Sequence, residues 1–144
     1  MFSEIKSAGL FGLNAFMVTV QASIAPGQPS FDIVGMPDIA VQESKARIRA
    51  VLGHLELKLL NGKVTVNLAP ADTRKAGTLY DLPVLLGILC ATGEIRQPPA
   101  TAAFFGEVSL AGDIRPVTGA LTMALAAEQI GLKELFLSLI HISE

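Results

Sequence analysis

Cysteine, histidine and net charge are all scarce in this sequence, and each scarcity excludes a class of protein. The single cysteine, Cys90, rules out an internal disulfide framework and fits a reducing compartment. The two histidines, His54 and His141, have no partners at the spacing of metal ligands. The net charge of −2 gives no global reason for nucleic-acid binding, so any such contact must come from a local patch.

Long apolar runs are missing as well. The longest one, from Leu82 to Thr92, is too short to span a membrane, and the first residues lack the unbroken apolar run of a signal peptide. We therefore expect a soluble, cytoplasmic protein without membrane contact. The chain has 144 residues, of which 51% are hydrophobic and 17% are charged, and this composition is typical of one globular domain with its own core.

Alternation of apolar and polar residues predicts the strands. The two clearest are Phe16–Ala25 and Lys63–Leu68, and the apolar side chains of the second should share one face. Shorter strands are predicted in the N-terminal "EIKSAGLFG", in "SFDIVG" and in "KELFL". The stretch "FFGEVSLAGDIRPVTG" predicts a hairpin that turns at Ala111-Gly112-Asp113.

Apolar residues at helical spacing predict the helices. Asp38 should cap an amphipathic helix, with Glu43 and Arg47 as a surface pair on its outer side. The run Asp81–Ala91 is apolar all round, which predicts a buried helix with Asp81 as its N-cap. A third helix is predicted over Thr118–Ile130. Strands and helices in this order predict the α+β (mixed α/β) class.

The stretch "APADTRKAGTLYDLPVLLGIL" contains the joint between a predicted strand and the buried helix. It is basic and turns at Gly77, and joints of this kind cradle phosphates in some proteins and hold a catalytic serine in others. A phosphate loop needs the pattern G-x-x-x-x-G-K-[ST], because glycine amides wrap the phosphates and the lysine completes the site. The glycines of "GLFG" and "GEVSLAG" have no Lys-Ser/Thr after them. We therefore do not expect this chain to bind ATP.

Three stretches resemble one family: "FDIVGMPDIAVQESKARIRAVL", "VTVNLAPADTRKAGTLYDLPVLLGIL" and "FFGEVSLAGDIRPVTGALTMALAA". They are similar to the N-terminal domain of the magnesium-chelatase-like AAA+ ATPases of the YifB and ComM type. The resemblance covers residues 1–137 and implies a Lon-protease-like domain with the ribosomal protein S5 domain 2-like fold. The remaining "SLIHISE" has no turn chemistry or natural stop, so we expect residues 138–144 to be a truncation or a foreign tail.

The same resemblance implies a role inside a longer protein. In this family the domain precedes an AAA+ module, which we expect to bind ATP and magnesium. The parent is expected to be a homo-oligomeric, hexameric ATPase and DNA helicase that acts on branched or single-stranded DNA during uptake and recombination. This chain itself is expected to have no catalytic activity and no cofactor, and to assist ring assembly, regulation or DNA handling.

The resemblance also raises the possibility of a serine peptidase. In Lon-type peptidases the serine lies in a K-D-G-P-S-A-G stretch, and a lysine in a later G-G-L-K-E-K stretch activates it. Lys75 and Gly77 match the first stretch, but Leu79 stands at the serine position and Leu121 at the lysine position. A peptidase with a displaced nucleophile, Thr78, remains an alternative, although no lysine is left to act as its general base.

Basic residues are the remaining candidates for a site. We expect Arg74 and Lys75 on the joint, then Lys45 and Arg49 on the first helix, to contact DNA or a partner. Phosphate contacts need only positioned cations and are salt-sensitive and sequence-blind. No aromatic residues interleave with these cations, which argues against base stacking. The other interpretations are an ordinary solvated face, or an interaction domain without DNA contact.

Other chemistry has little support. Cys90 lies in an apolar run and is expected to be an inert, buried small hydrophobe. Asp32 and Asp38 flank a turn, and capping explains Asp38 without catalysis. No carboxylates cluster in the sequence, so no magnesium or other metal site is predicted.

Overall fold

The computed structural model describes residues 1–11, 14–56, 62–115, 125, 128–132 and 134–136. The strands are β1 (Phe2–Phe11), β2 (Asn14–Ala25), β3 (Ser30–Val34), β4 (Lys63–Ala69), β5 (Ala102–Phe104), β6 (Glu107–Val108), β7 (Ile114–Arg115) and β8 (Glu134–Phe136). The helices are α1 (Ile39–Gln42), α2 (Ser44–His54) and α3 (Asp81–Ala91). No helix of the described ranges is long and apolar enough to cross a membrane.

Six of the strands form one mixed sheet in the order β3-β4-β2-β1-β5-β8. The pairs β1/β2 and β2/β4 are antiparallel, whereas β3/β4, β1/β5 and β5/β8 are parallel. The N-terminal strand is longer than the short one predicted, since β1 pairs with β2 along its whole length. A mixed sheet with helices confirms the α+β class.

The core lies between the sheet and the helices α2 and α3. Side chains of β2 and β4 alternate between buried and more accessible positions, and the apolar side chains of β4 share the buried face as predicted. Helix α3 lies against β1 and β2 and buries most of its surface, as its uniformly apolar sequence indicated. The Ser3 hydroxyl donates to the Gly87 carbonyl oxygen (2.5 Å), and a Cβ added at Gly87 would lie 3.4 Å from the Ala22 side chain. A Cβ at position 87 would therefore be in ordinary van der Waals contact with the sheet.

The small second sheet confirms the predicted hairpin. Strands β6 and β7 are antiparallel, and the Ser109 N–H donates to the Asp113 carbonyl oxygen (2.8 Å) across the turn. Gly112 has a φ of +95°, a conformation that favours glycine. The strand predicted in "KELFL" is present as β8.

The helical predictions need three corrections. The single helix predicted after Asp38 is two helices, α1 and α2, separated by a turn at Glu43. Asp81 is the first residue of α3 rather than its N-cap, which is Tyr80. The Glu43–Arg47 surface pair is wrong because Arg47 turns inward to Asp81. Most of the predicted third helix, and the tail 138–144, lie outside the described residues.

The joint before helix α3 as the candidate functional site

The joint runs from Pro70 to Tyr80 and is hydrogen-bonded to the loop that follows β3. The Lys75 N–H donates to the Met36 carbonyl oxygen (3.0 Å), and the Asp38 N–H donates to the Lys75 carbonyl oxygen (2.9 Å). Gly77 has a φ of +91°, which confirms the turn expected there. The two segments therefore form one backbone unit at the end of the sheet.

Asp38 connects this unit to helix α1. One carboxylate oxygen accepts from the Val41 N–H (2.8 Å), which confirms the predicted N-cap. The other accepts from the Gly77 N–H at 3.2 Å. Because one carboxylate satisfies both backbone donors, the start of α1 and the turn at Gly77 are held in a fixed relation.

Lys75 is buried completely, so the expectation that it lies on a contact surface is wrong. Its ammonium group donates to the carbonyl oxygen of Gly35 (3.0 Å) and to that of Pro70. Burial lowers the pKa of Lys75 from its ordinary value, and the nearby Asp72 opposes this shift. The side chain therefore connects two segments inside the protein, the loop after β3 and the start of the joint, and its charge does not reach a ligand at the surface.

The other three predicted contact residues are at or near the surface, on two different elements. Arg74 is exposed on the joint, while Lys45 is half-buried and Arg49 is exposed on α2. The Arg49 guanidinium lies 5.6 Å from the centre of the Phe31 ring, at the distance of a cation–π contact. Within the described ranges, no hydrogen bond or ion pair joins Arg74 to either residue of α2.

A shallow cleft lies where the joint meets the β1–β2 hairpin. It is lined by residues of both: Gly9, Leu10, Phe16, Arg74, Ala76, Leu79 and Tyr80. Leu79, the residue at the serine position of the resemblance, therefore lines a cleft with an apolar side chain. The neighbouring Thr78 is half-buried, and its carbonyl oxygen accepts from the Asp81 N–H (3.2 Å). Leu121, which stands at the position of the catalytic lysine of the Lon-type peptidases, lies outside the described residues.

Asp81 forms a buried ion pair with Arg47 that was not predicted from the sequence. Its side chain is 1% exposed. The carboxylate accepts hydrogen bonds from the Arg47 Nε (2.6 Å), the Arg47 Nη2 (2.9 Å) and the Val108 N–H (3.1 Å). Burial raises the pKa of Asp81, with Arg47 and the Val108 N–H opposing the shift, while the carboxylate raises the pKa of Arg47. The available signal was an acidic residue inside an all-apolar run, since such a charge is rarely buried unless it is paired.

Backbone bonds complete the attachment of the joint to the β6 region. The Leu82 N–H donates to the Gly106 carbonyl oxygen (2.9 Å), and the Gly106 N–H donates to the Leu79 carbonyl oxygen (2.9 Å). The first of these bonds gives a partner to one of the backbone N–H groups in the first turn of α3, which has no side-chain cap. The joint is therefore fixed on both sides, by the loop after β3 and by Gly106, the residue before β6.

The remaining candidates take no part in the joint. Cys90 is half-buried near the end of α3, its thiol lies 3.5 Å from the Arg96 carbonyl oxygen, and burial raises the pKa of that thiol. His54 is exposed in the last turn of α2, and His141 lies outside the described residues. In the part of the chain that the structure describes, no three His, Cys, Asp or Glu side chains are grouped as metal ligands.

The single tyrosine allows a direct test of how tightly the joint is packed. Tyr80 is 2% exposed, its hydroxyl donates to the Ala8 carbonyl oxygen (3.2 Å), and burial raises its pKa above the ordinary value of 10.0. Because the chain has no other tyrosine and no tryptophan, an ultraviolet pH titration reports on Tyr80 alone. We expect phenolate to form only as the chain unfolds in alkali. A smooth titration near pH 10 with the fold intact would contradict this packing.

Comparison with known proteins places the chain in a family. Residues 20–139 match the family described as subunit ChlI of Mg-chelatase. Competence protein ComM of Haemophilus influenzae is 35% identical over 126 residues, covering 87% of this chain and 25% of that protein. YifB of Escherichia coli is 33% identical over 132 residues (91% and 26%), and DNA repair protein RadA of Brucella abortus is 30% identical over 131 residues (88% and 27%).

The chain spans about a quarter of the length of these curated relatives. The matched region begins within β2, extends past β8 and therefore includes the whole joint. The chain belongs to the family of subunit ChlI of Mg-chelatase, and within it to the ComM/YifB type of N-terminal domain.

Proposed function

We propose that this chain is a non-catalytic N-terminal domain of a ComM/YifB-type AAA+ ATPase that handles DNA during uptake, recombination and repair. In this proposal the ATPase module binds ATP and magnesium, and the present domain assists assembly or regulation of the ATPase ring. The relatives named for competence and for DNA repair support the process, and the family supports the ATPase parent.

The observation that carries the non-catalytic role is the chemistry of the cleft. Leu79 offers no nucleophile there, and the charged side chain that lines the cleft, Arg74, stays protonated and cannot act as a general base. Lys75 donates to two carbonyl oxygens and Asp81 accepts from Arg47, so neither is free to activate a hydroxyl group. What the joint offers a partner is the exposed cation of Arg74.

The peptidase alternative rests on Thr78 and is tested directly. We expect the purified chain to cleave a casein-type substrate no faster than a Thr78→Ala variant does. Measured cleavage by the wild type that disappears in Thr78→Ala, while the variant keeps its fold by circular dichroism, would overturn the non-catalytic role.

The DNA role is tested on the residues that the structure leaves accessible. We expect weak binding of the chain to branched DNA that falls as salt is raised, because phosphate contacts release counterions. A triple variant, Arg74→Ala with Lys45→Ala and Arg49→Ala, should bind less and show a smaller salt slope in a fluorescence anisotropy titration. Lys75 is left unchanged, because removing a buried lysine would confuse loss of fold with loss of contact.

Asp32→Ala is a suitable control for that titration, because Asp32 is an exposed charge on β3 and lies outside the basic set. If the wild type does not bind DNA even at low salt, or if the triple variant binds equally well, the domain has no direct DNA contact. In that case the domain would act through protein contacts alone.

A further inference from the structure

An exposed apolar loop lies directly beside the joint. Within six residues, Val34 is 45% exposed, Met36 51% and Ile39 81%. Large apolar side chains that are exposed singly are ordinary, but a group of them in one short segment marks a candidate interaction site. This group lies at the end of the edge strand β3 and the start of α1.

The loop is held in one conformation although that conformation is unfavourable. Met36 has a φ of +58°, in the left-handed region that residues other than glycine rarely adopt. Gly35 before it has a φ of +102°, and a Cβ there would lie only 2.3 Å from the Leu68 carbonyl oxygen. The surrounding structure thus forces the backbone to expose Met36, and such strain is commonly kept at functional sites.

Lys75 is the residue that holds this conformation. Its N–H donates to the Met36 carbonyl oxygen, its carbonyl oxygen accepts from the Asp38 N–H, and its ammonium group donates to the Gly35 carbonyl oxygen. Three bonds from one buried residue therefore fix three positions of the loop and its flank: Gly35, Met36 and Asp38. An apolar surface that is rigid before binding loses little conformational entropy when a partner covers it.

Arg74 adds one cation to the same place. It precedes Lys75, whose N–H is bonded to the Met36 carbonyl oxygen, so the backbone at Arg74 runs beside the apolar loop, while the Arg74 side chain lines the edge of the cleft. Arg74 is exposed, and no carboxylate among the described residues forms an ion pair with it. We call Val34, Met36, Ile39 and Arg74 together the loop surface. With its single cation, this surface matches a protein surface that offers apolar side chains and one carboxylate.

The small size of the loop surface favours a partner on the same polypeptide. A stable complex between free proteins buries roughly 800 Å² on each partner, and three partly exposed side chains with one arginine supply only a fraction of that. A tethered partner needs less, because tethering gives it an effective concentration in the millimolar range. The curated relatives are about four times as long as the region they share with this chain, which covers 25–27% of each.

We infer that the loop surface docks the ATPase module of the same polypeptide, with apolar side chains of the module over Met36 and Ile39 and a carboxylate of the module against Arg74. This inference rests on the proposed function, which supplies the module. It assigns to Lys75 a positioning role: the buried lysine shapes the loop that the module contacts.

The test is photo-crosslinking in the full-length parent protein. A benzophenone amino acid is introduced at Ile39 and, as the matched control, at Leu110, which is 59% exposed in the β6–β7 turn. Both side chains are largely exposed, so neither replacement should disturb folding. Heavy-isotope-labelled and unlabelled copies are mixed, so that cross-links within one polypeptide and between two copies have different masses.

We expect cross-links from position 39 to the ATPase module of the same polypeptide, and none to that module from position 110. Adding Arg74→Glu or Met36→Ser should lower the yield at position 39 by about tenfold, as the loss of a well-buried contact predicts. Cross-links from position 39 to a second copy or to DNA, or a yield no higher than at position 110, would overturn the inference. ATP hydrolysis by the same preparation tests the proposed function separately: hydrolysis without the cross-link removes this inference alone, and absent hydrolysis removes the proposed function.

Discussion

Replacement of Asp81 by alanine should lower the free energy of unfolding by about 3 kcal/mol, since it leaves a mostly buried arginine without its partner. The Arg47 side chain is 20% exposed and, among the residues that the structure describes, would keep one hydrogen bond, to the Ala40 carbonyl oxygen (3.3 Å). The Val108 N–H would lose its acceptor as well. Urea unfolding followed by circular dichroism measures the change.

A double variant separates two contributions to this loss: the attraction between Arg47 and Asp81, and the cost of leaving Arg47 buried without a partner. Taking a carboxylate and a guanidinium out of water costs free energy that their attraction offsets only when the geometry is good, whereas an apolar pair has no such cost. We therefore expect Arg47→Met with Asp81→Ala to recover a substantial part of the stability lost by Asp81→Ala alone. The exposed Asp32→Ala is the control and should change the stability by less than about 0.5 kcal/mol. A double variant as unstable as the sum of the two single variants would contradict this account.

Replacement of Lys75 by methionine should lower the free energy of unfolding by about 2 kcal/mol, because methionine fills similar space but donates no hydrogen bond. The carbonyl oxygens of Gly35 and Pro70 would then be left without the ammonium group. The neighbouring Arg74→Ala should change the stability by less than about 0.5 kcal/mol, because Arg74 is exposed. Equal effects of the two variants in urea unfolding would show that Lys75 does not hold the loop.

The same variant isolates the proton linkage of Lys75. Burial lowers the folded-state pKa of this lysine below 10.5, so between the two values the folded protein binds fewer protons than the unfolded chain. The stability of the wild type relative to Lys75→Met should therefore rise as the pH increases through that window. The neutral amine keeps two N–H donors for the two carbonyl oxygens, so deprotonation need not break the loop. A difference that falls with pH would contradict the burial of this group.

Much of the fold could be predicted from local patterns. The alternation in "KVTVNL" placed its apolar side chains on one face of β4, and the uniformly apolar run after Tyr80 became the buried helix α3. Asp38 caps α1 as its residue type and position indicated, and Gly77 turns the chain. Each of these features depends on residues only a few positions apart, so the sequence carries the information directly.

The candidate site was predicted less well. The spacing of residues predicts whether a charged residue lies on a helix or in a loop, but it does not predict which distant residue is its partner. Arg47 has an acidic neighbour four residues before it, yet its partner is Asp81, 34 residues away. Lys75 follows Arg74 directly, yet one side chain is buried and the other exposed. A strand-like bridge between Pro37 and Lys75 sets these opposite directions, and that pairing is a long-range contact.

By itself, the sequence determined the mixed class of the fold, the main strands and helices, the turn at Gly77 and the family, because periodicity, turn residues and motif order are local properties. Only the tertiary structure decided what the charges of the joint do. Burial and hydrogen bonding make Lys75 and Asp81 internal supports, while Arg74 remains available at the surface beside an exposed apolar loop. The reason is that the cost of burying a charge depends on which groups from distant segments surround it, and only the folded chain brings those groups together.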